Sequence, residues 1–267
     1  MRWLVRFGYD GEGFAGWARQ PGRRTIEGVV RGGVARRRLV RGLDEAGIEV
    51  ASRTDAGVSA RRNALVLRSD LPASSLLRAL NGLAPDIYFD AARPVSEGFR
   101  VRQALWREYR YLLVGSPSRH RRLGAIANRL PRAIDTRTFG RGVRAEGPAF
   151  REIDLLRVRT GADGAWLQVR ARSFVWGMIR KLVAGMTECA EGRLSLDQLQ
   201  DAASGRRPLT LPLAPADSLV LWEVRYPGRW PYRTSWRSRH QRTHLAEAKR
   251  HASVRLRIPG LLVEGRT

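Results

Sequence analysis

Segments with the two-residue period of a β-strand alternate with segments that have the period of an α-helix, between residues 2 and 226. The chain begins with an alternating strand pattern at residues 2–7. Thr25 then has the position of a helix N-cap, because an apolar helical face follows it, formed by Ile26, Val29, Val30 and Val34. Further strands are predicted at 48–50, 64–68, 87–91, 106–114, 153–159, 165–171 and 219–226, and further helices after Ser74 or Ser75, from Phe174 and after Ser195.

This alternation predicts an α+β fold. The economical architecture is two halves of the RRM or ferredoxin-like kind, each with helices on one face of a mostly antiparallel sheet. We expect an N-terminal half at 1–100, a C-terminal half at 101–227 and a basic extension at 228–267.

The charge of the chain indicates a polyanionic partner. Its 267 residues contain 49 Lys and Arg against 25 Asp and Glu, a formal net charge of +24. Phosphate contacts dominate nucleic-acid affinity, so an excess of this size favours RNA or DNA. Neither a helix-turn-helix nor a zinc-finger spacing is present, which favours RNA over DNA.

Other classes of protein are disfavoured. Cys189 is the single cysteine and the four histidines lack ligand spacing, so we expect neither a disulfide framework nor a bound metal. Charged residues interrupt the N-terminal segment, and no apolar run approaches the length of a membrane span. We therefore expect a soluble, cytoplasmic protein that does not bind membranes.

The C-terminal extension, residues 228–267, differs in character from the rest. It has nine arginines and one lysine against Glu247 and Glu264, and Trp230, Tyr232 and Trp236 lie among the arginines. Aromatic side chains in a basic segment suit the stacking of RNA bases. Equally, the segment could be solvated, with its three aromatic side chains docked on the body of the protein.

Two local patterns could carry chemistry. Residues 11–16 match G-x-G-x-x-G, but Pro21-Gly22 intervenes before a helix begins, so we reject a dinucleotide site and predict a tight loop whose backbone approaches a bulky group.

Asp55 lies in the turn Arg53-Thr54-Asp55-Ala56-Gly57. Alone, such an aspartate is more often part of an Asx-turn than catalytic. Arg180, in an apolar helical segment, needs a carboxylate or phosphate partner.

Five ordered motifs resemble those of the TruA family of tRNA pseudouridine synthases, and the resemblance covers roughly residues 1–227. The last predicted strand, with the residues that precede it from Ala214, also looks like that of the family. The motifs are Tyr9-Asp10-Gly11-Glu12-Gly13-Phe14-Ala15-Gly16-Trp17-Ala18-Arg19-Gln20, Arg53-Thr54-Asp55-Ala56-Gly57-Val58-Ser59-Ala60, Phe99-Arg100-Val101-Arg102, Tyr109-Arg110-Tyr111 and Phe174-Val175-Trp176-Gly177-Met178-Ile179-Arg180.

The resemblance implies an enzyme that isomerises uridine in tRNA to pseudouridine without a cofactor, in an active-site cleft between the halves. Asp55 matches the essential aspartate, which attacks C1′ or abstracts a sugar proton to form a glycal. Arg180 would keep that carboxylate ionised. Tyr109 matches the tyrosine that stacks on the uracil, and Arg53 the arginine that helps to displace the base. Arg19 and Arg24 would also bind the substrate, and Phe174 would form a wall of the pocket.

Each of these residues also has a plainer interpretation. Tyr109 could be a core or cross-strand residue, the arginines could be solvated charges, and Phe174 could be a core residue alone.

The resemblance implies a homodimer, and a target in the anticodon stem-loop near tRNA positions 38 to 40. Lys181 stands where the family commonly has asparagine, and Ser59 where bacterial members often have histidine. The alternative function is a non-catalytic RNA-binding protein of the same fold.

Overall fold

The computed structural model describes residues 1–40, 47–142, 150–161 and 164–250, with the side chains of 245–250 left out. The elements in chain order are β1 (Arg2–Tyr9), α1 (Ile26–Arg36), β2 (Glu49–Val50), β3 (Ser59–Arg68), α2 (Ala73–Leu80), β4 (Ile87–Pro94), β5 (Trp106–Leu113), α3 (Pro117–Arg129), β6 (Ala133–Asp135), α4 (Thr136–Phe139), β7 (Phe150–Glu152), β8 (Leu155–Gly161), β9 (Gly164–Ala171), α5 (Met178–Ala190), α6 (Leu196–Ala203), β10 (Leu219–Arg225), β11 (Tyr232–Arg233) and α7 (Arg239–Arg250).

The chain forms two compact units. Among the described residues, the first contains Met1–Leu105 and Val220–Arg250, and the second contains Trp106–Leu219. The predicted boundaries of 1–100, 101–227 and 228–267 differ from these units. The difference arises because β10 pairs in parallel with β3 and β11 pairs antiparallel with β4, which places both strands in the first unit.

The first unit has the βαββαβ order of a ferredoxin-like fold, as predicted. Four of its strands lie in the order β4-β1-β3-β2 and pair antiparallel, with β11 antiparallel beyond β4 and β10 parallel to the start of β3. β1 is central and buried along its whole length. Thr25 caps α1 by accepting a hydrogen bond from the amide of Gly28, and Ile26, Val30 and Val34 of α1 are buried.

The second unit repeats the start of this order with β5, α3, β8, β9 and α5. Its antiparallel strands lie in the order β5-β9-β8, and β6 pairs with β7 in a separate two-stranded sheet. The strands predicted at 153–159 and 165–171 are confirmed as β8 and β9, which pair antiparallel; Ala162 and Asp163 between them lie outside the described residues. Ser195 caps α6 in a capping box with Gln198, as predicted for the cap.

Two predicted helix starts are wrong. The N-cap of α2 is Pro72, whose side chain makes no capping hydrogen bond, so Ser74 and Ser75 lie inside the first turn. α5 begins at Met178, because Gly177 has a φ of 76° and ends the preceding segment. Phe174 therefore lies before α5. The second helix start matters for function, because it puts residues 174–176 in a loop.

Candidate active site

Asp55 lies in a tight turn between β2 and β3 that is held from several sides. The amide of Val58 donates to the carbonyl of Asp55 over 3.2 Å, and Gly57 permits the turn with a φ of 79°. The hydroxyls of Tyr9 and Thr54 are hydrogen-bonded at 2.7 Å, and both side chains are buried. The side chain of Asp55 is itself half-buried. These contacts hold the backbone that carries the carboxylate in one conformation.

The glycine-rich loop packs directly on this turn. The amide of Trp17 donates to the carbonyl of Thr54 over 3.0 Å, and the amide of Gly57 donates to the carbonyl of Phe14 over 3.3 Å. A Cβ at Gly16 would lie 2.9 Å from the Thr54 oxygen, and one at Gly11 would lie 2.4 Å from the Val58 oxygen. The bulky neighbour expected from the sequence is thus the turn that carries Asp55. Glycine is required because the two backbones touch.

Ser59 connects the same two segments. Its Oγ accepts a hydrogen bond from the amide of Gly11 over 2.9 Å, and the residue is 2% exposed. Serine at this position therefore supports the glycine-rich loop from inside the unit. This contact gives a physical role to one of the two departures from the family pattern.

The three arginines assigned to the substrate are placed differently. Arg53 and Arg19 are exposed. The Arg24 guanidinium pairs with the Asp86 carboxylate at 2.8 Å and lies 4.0 Å from the centre of the Phe14 ring. Arg24 thus holds the glycine-rich loop in addition to any role toward substrate, whereas Arg53 stands beside Asp55 on its turn.

In the second unit, Tyr109 and Phe174 are in contact. Their ring centroids lie 5.2 Å apart at an interplanar angle of 84°, an edge-to-face arrangement. Tyr109 is on β5 and 8% exposed, and Phe174 is half-buried in the loop before α5. The two rings therefore form one aromatic cluster with a defined relative orientation.

Arg180 lies in the first turn of α5. Its Nε donates to the carbonyl of Ala214 over 2.6 Å, and the amide of Ala214 donates to the carbonyl of Arg180 over 3.2 Å. This reciprocal pair fixes both the stem of Arg180 and the segment that leads to β10. The side chain is half-buried, so its charge is partly shielded from solvent.

Lys181, the second departure from the family pattern, has a structural role. Its Nζ donates to the carbonyls of Thr138 and Gly140, each at 2.9 Å. Both acceptors lie at the end of α4, where carbonyls lack partners within the helix. Burial and the nearby charge of Arg141 lower the pKa of Lys181 below its ordinary value. Lys181 therefore attaches α4 to α5.

Trp176 is an exposed residue of this loop to which the sequence analysis gave no role. It is 54% exposed, and the Arg141 guanidinium lies 4.6 Å from the centre of its ring. The amide of Arg141 also donates to the Trp176 carbonyl over 2.8 Å. The helix predicted from Phe174 would include Trp176, so that prediction gave no reason to expect an exposed loop residue here. The glycine that follows Trp176 is the sequence signal for a loop. An exposed indole beside a guanidinium can stack on a base and bind a phosphate.

Among the described residues, no group of three or more His, Cys, Asp or Glu side chains could hold a metal ion. No helix within that same part of the chain is long and apolar enough to cross a membrane.

Comparisons with known proteins agree with this architecture. The family model described as tRNA pseudouridine synthase matches residues 134–227. A tRNA pseudouridine synthase A of Cutibacterium acnes is 35% identical over 253 residues, covering 85% of this chain and 89% of the relative. One of Methanosphaerula palustris is 32% identical over 266 residues, covering 98% and 92%. One of Pyrococcus furiosus is 29% identical over 264 residues, covering 95% of each chain.

The two α+β units, the aspartate turn and these similarities define an RNA-modifying isomerase. The chain belongs to the tRNA pseudouridine synthase family, whose enzymes convert uridine to pseudouridine.

Proposed function

We propose that this protein converts uridine to pseudouridine in the anticodon stem-loop of tRNA, with Asp55 as its catalytic acidic residue. The observation that carries the proposal is the fixed turn of Asp55, which the glycine-rich loop contacts through the carbonyl of Thr54 and the amide of Gly57. A carboxylate that must reach one sugar carbon needs this kind of fixed backbone, since small displacements cost much of the rate.

The reaction needs no cofactor because it is an isomerisation. The bond between uracil N1 and C1′ breaks, the base turns, and C5 bonds to C1′. C5 then loses its proton and N1 gains one, so no atom is gained or lost overall. Asp55 acts in its ionised form, either by adding to C1′ or by removing a sugar proton to give a glycal. Both routes fit a carboxylate on a fixed turn.

Arg180 is proposed as the second catalytic residue. A guanidinium stays charged at all physiological pH values, favours the ionised form of a carboxylate and can bind a phosphate. Its Nε donates to the carbonyl of Ala214, and because a guanidinium carries five N–H groups, one arginine can bind several acceptors at once.

The remaining site residues are proposed to bind the displaced nucleotide. Tyr109, in edge-to-face contact with Phe174, offers an aromatic ring for the uracil. Arg53, exposed on the catalytic turn, would compensate for lost stacking when the base leaves its stem, and Arg19 and Arg24 would bind phosphates. Base displacement costs a few kcal/mol, which a cation and an aromatic ring together can offset.

Mapping of pseudouridine in tRNA tests the activity and the target position together. We expect tRNA from cells without this gene to lack pseudouridine in the anticodon stem-loop, and expression of the protein to restore it. An unchanged pattern of pseudouridines, with tRNA still bound by the purified protein, would favour the non-catalytic RNA-binding alternative. Loss at another position would refute the anticodon assignment alone.

We also propose that the protein is a cytoplasmic homodimer, as the resemblance implies. Light scattering of the purified protein is expected to give twice the chain mass of 30.0 kDa. A mass of one chain at micromolar concentration would refute the dimer. Cell fractionation tests the location, with recovery in the cytoplasmic fraction as the expected result.

A further inference from the structure

The described part of the C-terminal extension is integrated into the first unit. β11 pairs with β4, with Tyr232 opposite Ala92. The Tyr232 and Trp3 rings are in edge-to-face contact with centroids 5.8 Å apart, and the Trp230 ring lies 5.2 Å from the guanidinium carbon of Arg6. Two of the three aromatic side chains of the extension thus dock on the body of the protein.

A buried glutamine anchors α7. Gln241 is fully buried, and its Nε2 donates to the carbonyl of Ile87 over 2.6 Å and to Oδ1 of Asn81 over 3.1 Å. Since Asn81 closes α2 and also binds Phe89 in β4, α7 is tied to the core of the unit. The extension up to this point therefore has a fixed position, on which a binding surface can be built.

Trp236 differs from the other two aromatic residues. It is 40% exposed and lines a cavity of about 480 Å³ together with Arg37, Arg78, Ser74, Ser75 and Gly82. This volume lies within the range of roughly 300–1,000 Å³ that is typical of small-ligand sites. The lining includes the indole, the two serines at the start of α2, Arg78 of α2 and Arg37, which directly follows α1.

The side chains of this cavity suit one nucleotide. The Arg37 Nη2 donates to the carbonyl of Gly82 over 2.8 Å, which holds the guanidinium at the cavity. Within the described residues, no carboxylate pairs with Arg37 or Arg78, and none lines the cavity. Two guanidiniums recognise a phosphate, serine hydroxyls accept or donate to a ribose or phosphate, and an indole stacks on a base.

We propose that this cavity is a second RNA-binding site, which holds one nucleotide of the tRNA apart from the uridine that reacts. The base stacks on Trp236, and its phosphate binds between Arg37 and Arg78. The proposal rests on tRNA as the substrate. The net charge of +24 favours an RNA strand over a free mononucleotide as the occupant, because a strand also engages the surrounding arginines.

Binding of a tRNA transcript to the full chain tests the proposal. Trp236→Ala is expected to weaken binding about fivefold or more, and Trp236→Phe to retain most of the affinity, because a phenyl ring still stacks. Arg37→Gln with Arg78→Gln is expected to weaken binding and to reduce the slope of log K against log salt by about one unit, the contribution of one phosphate.

Arg121→Gln with Arg122→Gln is the matched control. These two exposed arginines of α3 lie in the other unit, so the control removes the same charge elsewhere. The proposal is overturned if Trp236→Ala binds tRNA as tightly as the wild type, or if the control weakens binding as much as the cavity variants. Binding of AMP that depends on Trp236, with unchanged tRNA binding, would overturn it in favour of a free nucleotide.

Pseudouridine formation by the wild type is measured separately on the same preparations. If the wild type binds tRNA but forms no pseudouridine, the proposed function fails, while the comparison of cavity and control variants still decides the second site.

Discussion

Gly16→Ala should lower kcat by more than its loss of stability can explain, because Gly16 touches the backbone that carries Asp55. The new Cβ would lie 2.9 Å from the Thr54 oxygen, 3.1 Å from the Ala56 nitrogen and 3.2 Å from the Asp55 carbonyl carbon. The closest of these contacts is roughly 0.5–1 Å shorter than ordinary van der Waals separation. Since each neighbouring atom is backbone, the turn itself must move.

The expected magnitudes follow from this geometry. A residue with a side chain at the φ of 94° of Gly16 costs ~1–2 kcal/mol, and the overlap adds ~1–3 kcal/mol. At about 2–4 °C per kcal/mol, the Tm should fall by roughly 4–20 °C. Displacement of the carboxylate by up to ~1 Å should reduce kcat about 100-fold at a temperature where the variant is folded.

Two other glycines provide matched controls. Gly13, in the same loop, has a φ of 76° and only the end of Arg24 near its Cβ position, at 3.9 Å. Gly22 has a φ of 66° and nothing within 4 Å. Their alanine variants should lose ~1–2 kcal/mol of stability through backbone strain alone and keep kcat within about twofold.

The assay is tritium release from tRNA labelled at uracil C5, since C5 loses its hydrogen when it bonds to C1′. Thermal unfolding is measured on the same preparations. The reasoning is refuted if Gly16→Ala keeps the wild-type kcat, or if Gly13→Ala and Gly22→Ala lose as much activity.

Three further substitutions test single contacts. Ser59→Ala leaves the buried amide of Gly11 without its acceptor and should destabilise the fold by ~1–3 kcal/mol in thermal unfolding; an unchanged Tm would contradict this role. Lys181→Met keeps the aliphatic stem but removes the donor to two carbonyls, so we expect a loss of ~1–2 kcal/mol by denaturant unfolding, and equal midpoints would refute it. Trp176→Ala should raise the KM for tRNA about fivefold or more and Trp176→Phe much less, with the Tm of both unchanged; an unaltered KM would exclude base stacking there.

Local signals in the sequence predicted a large part of the fold. Thr25 and Ser195 cap their helices because a hydroxyl before an apolar face satisfies amides that the helix leaves open. The start of α2 was predicted wrongly because serine hydroxyls do not mark a cap wherever they precede apolar residues. Pro72 fits the position before the first turn, and two serines inside that turn resemble caps without serving as caps.

Arginine-rich strands were harder to predict, because their charges are neutralised by distant residues. Arg6 is 6% exposed in the central strand, and its guanidinium binds the Asp90 carboxylate from β4. β3 begins five residues before the predicted Ala64, because Arg62 pairs with Glu223 and Arg61 lies over Trp222, both in β10. A periodicity argument treats such arginines as solvent-facing.

The candidate site could be predicted only through its motifs. The turn of Asp55 is visible as Asp-Ala-Gly, but its contact with Gly11 and Gly16 joins residues some forty positions apart and needs the β1–β3 register. The same limit applies to the cavity at Trp236, because α2 and the extension are far apart in sequence and the indole resembles its two docked neighbours.

Asp55→Asn tests the central claim most directly. The amide keeps the shape of the side chain but acts neither as a nucleophile nor as a base, so tRNA binding should stay within about twofold of the wild type. Tritium release from C5 should fall to the level of a reaction without enzyme. Release at the wild-type rate by Asp55→Asn would contradict the assignment of Asp55 as the catalytic residue.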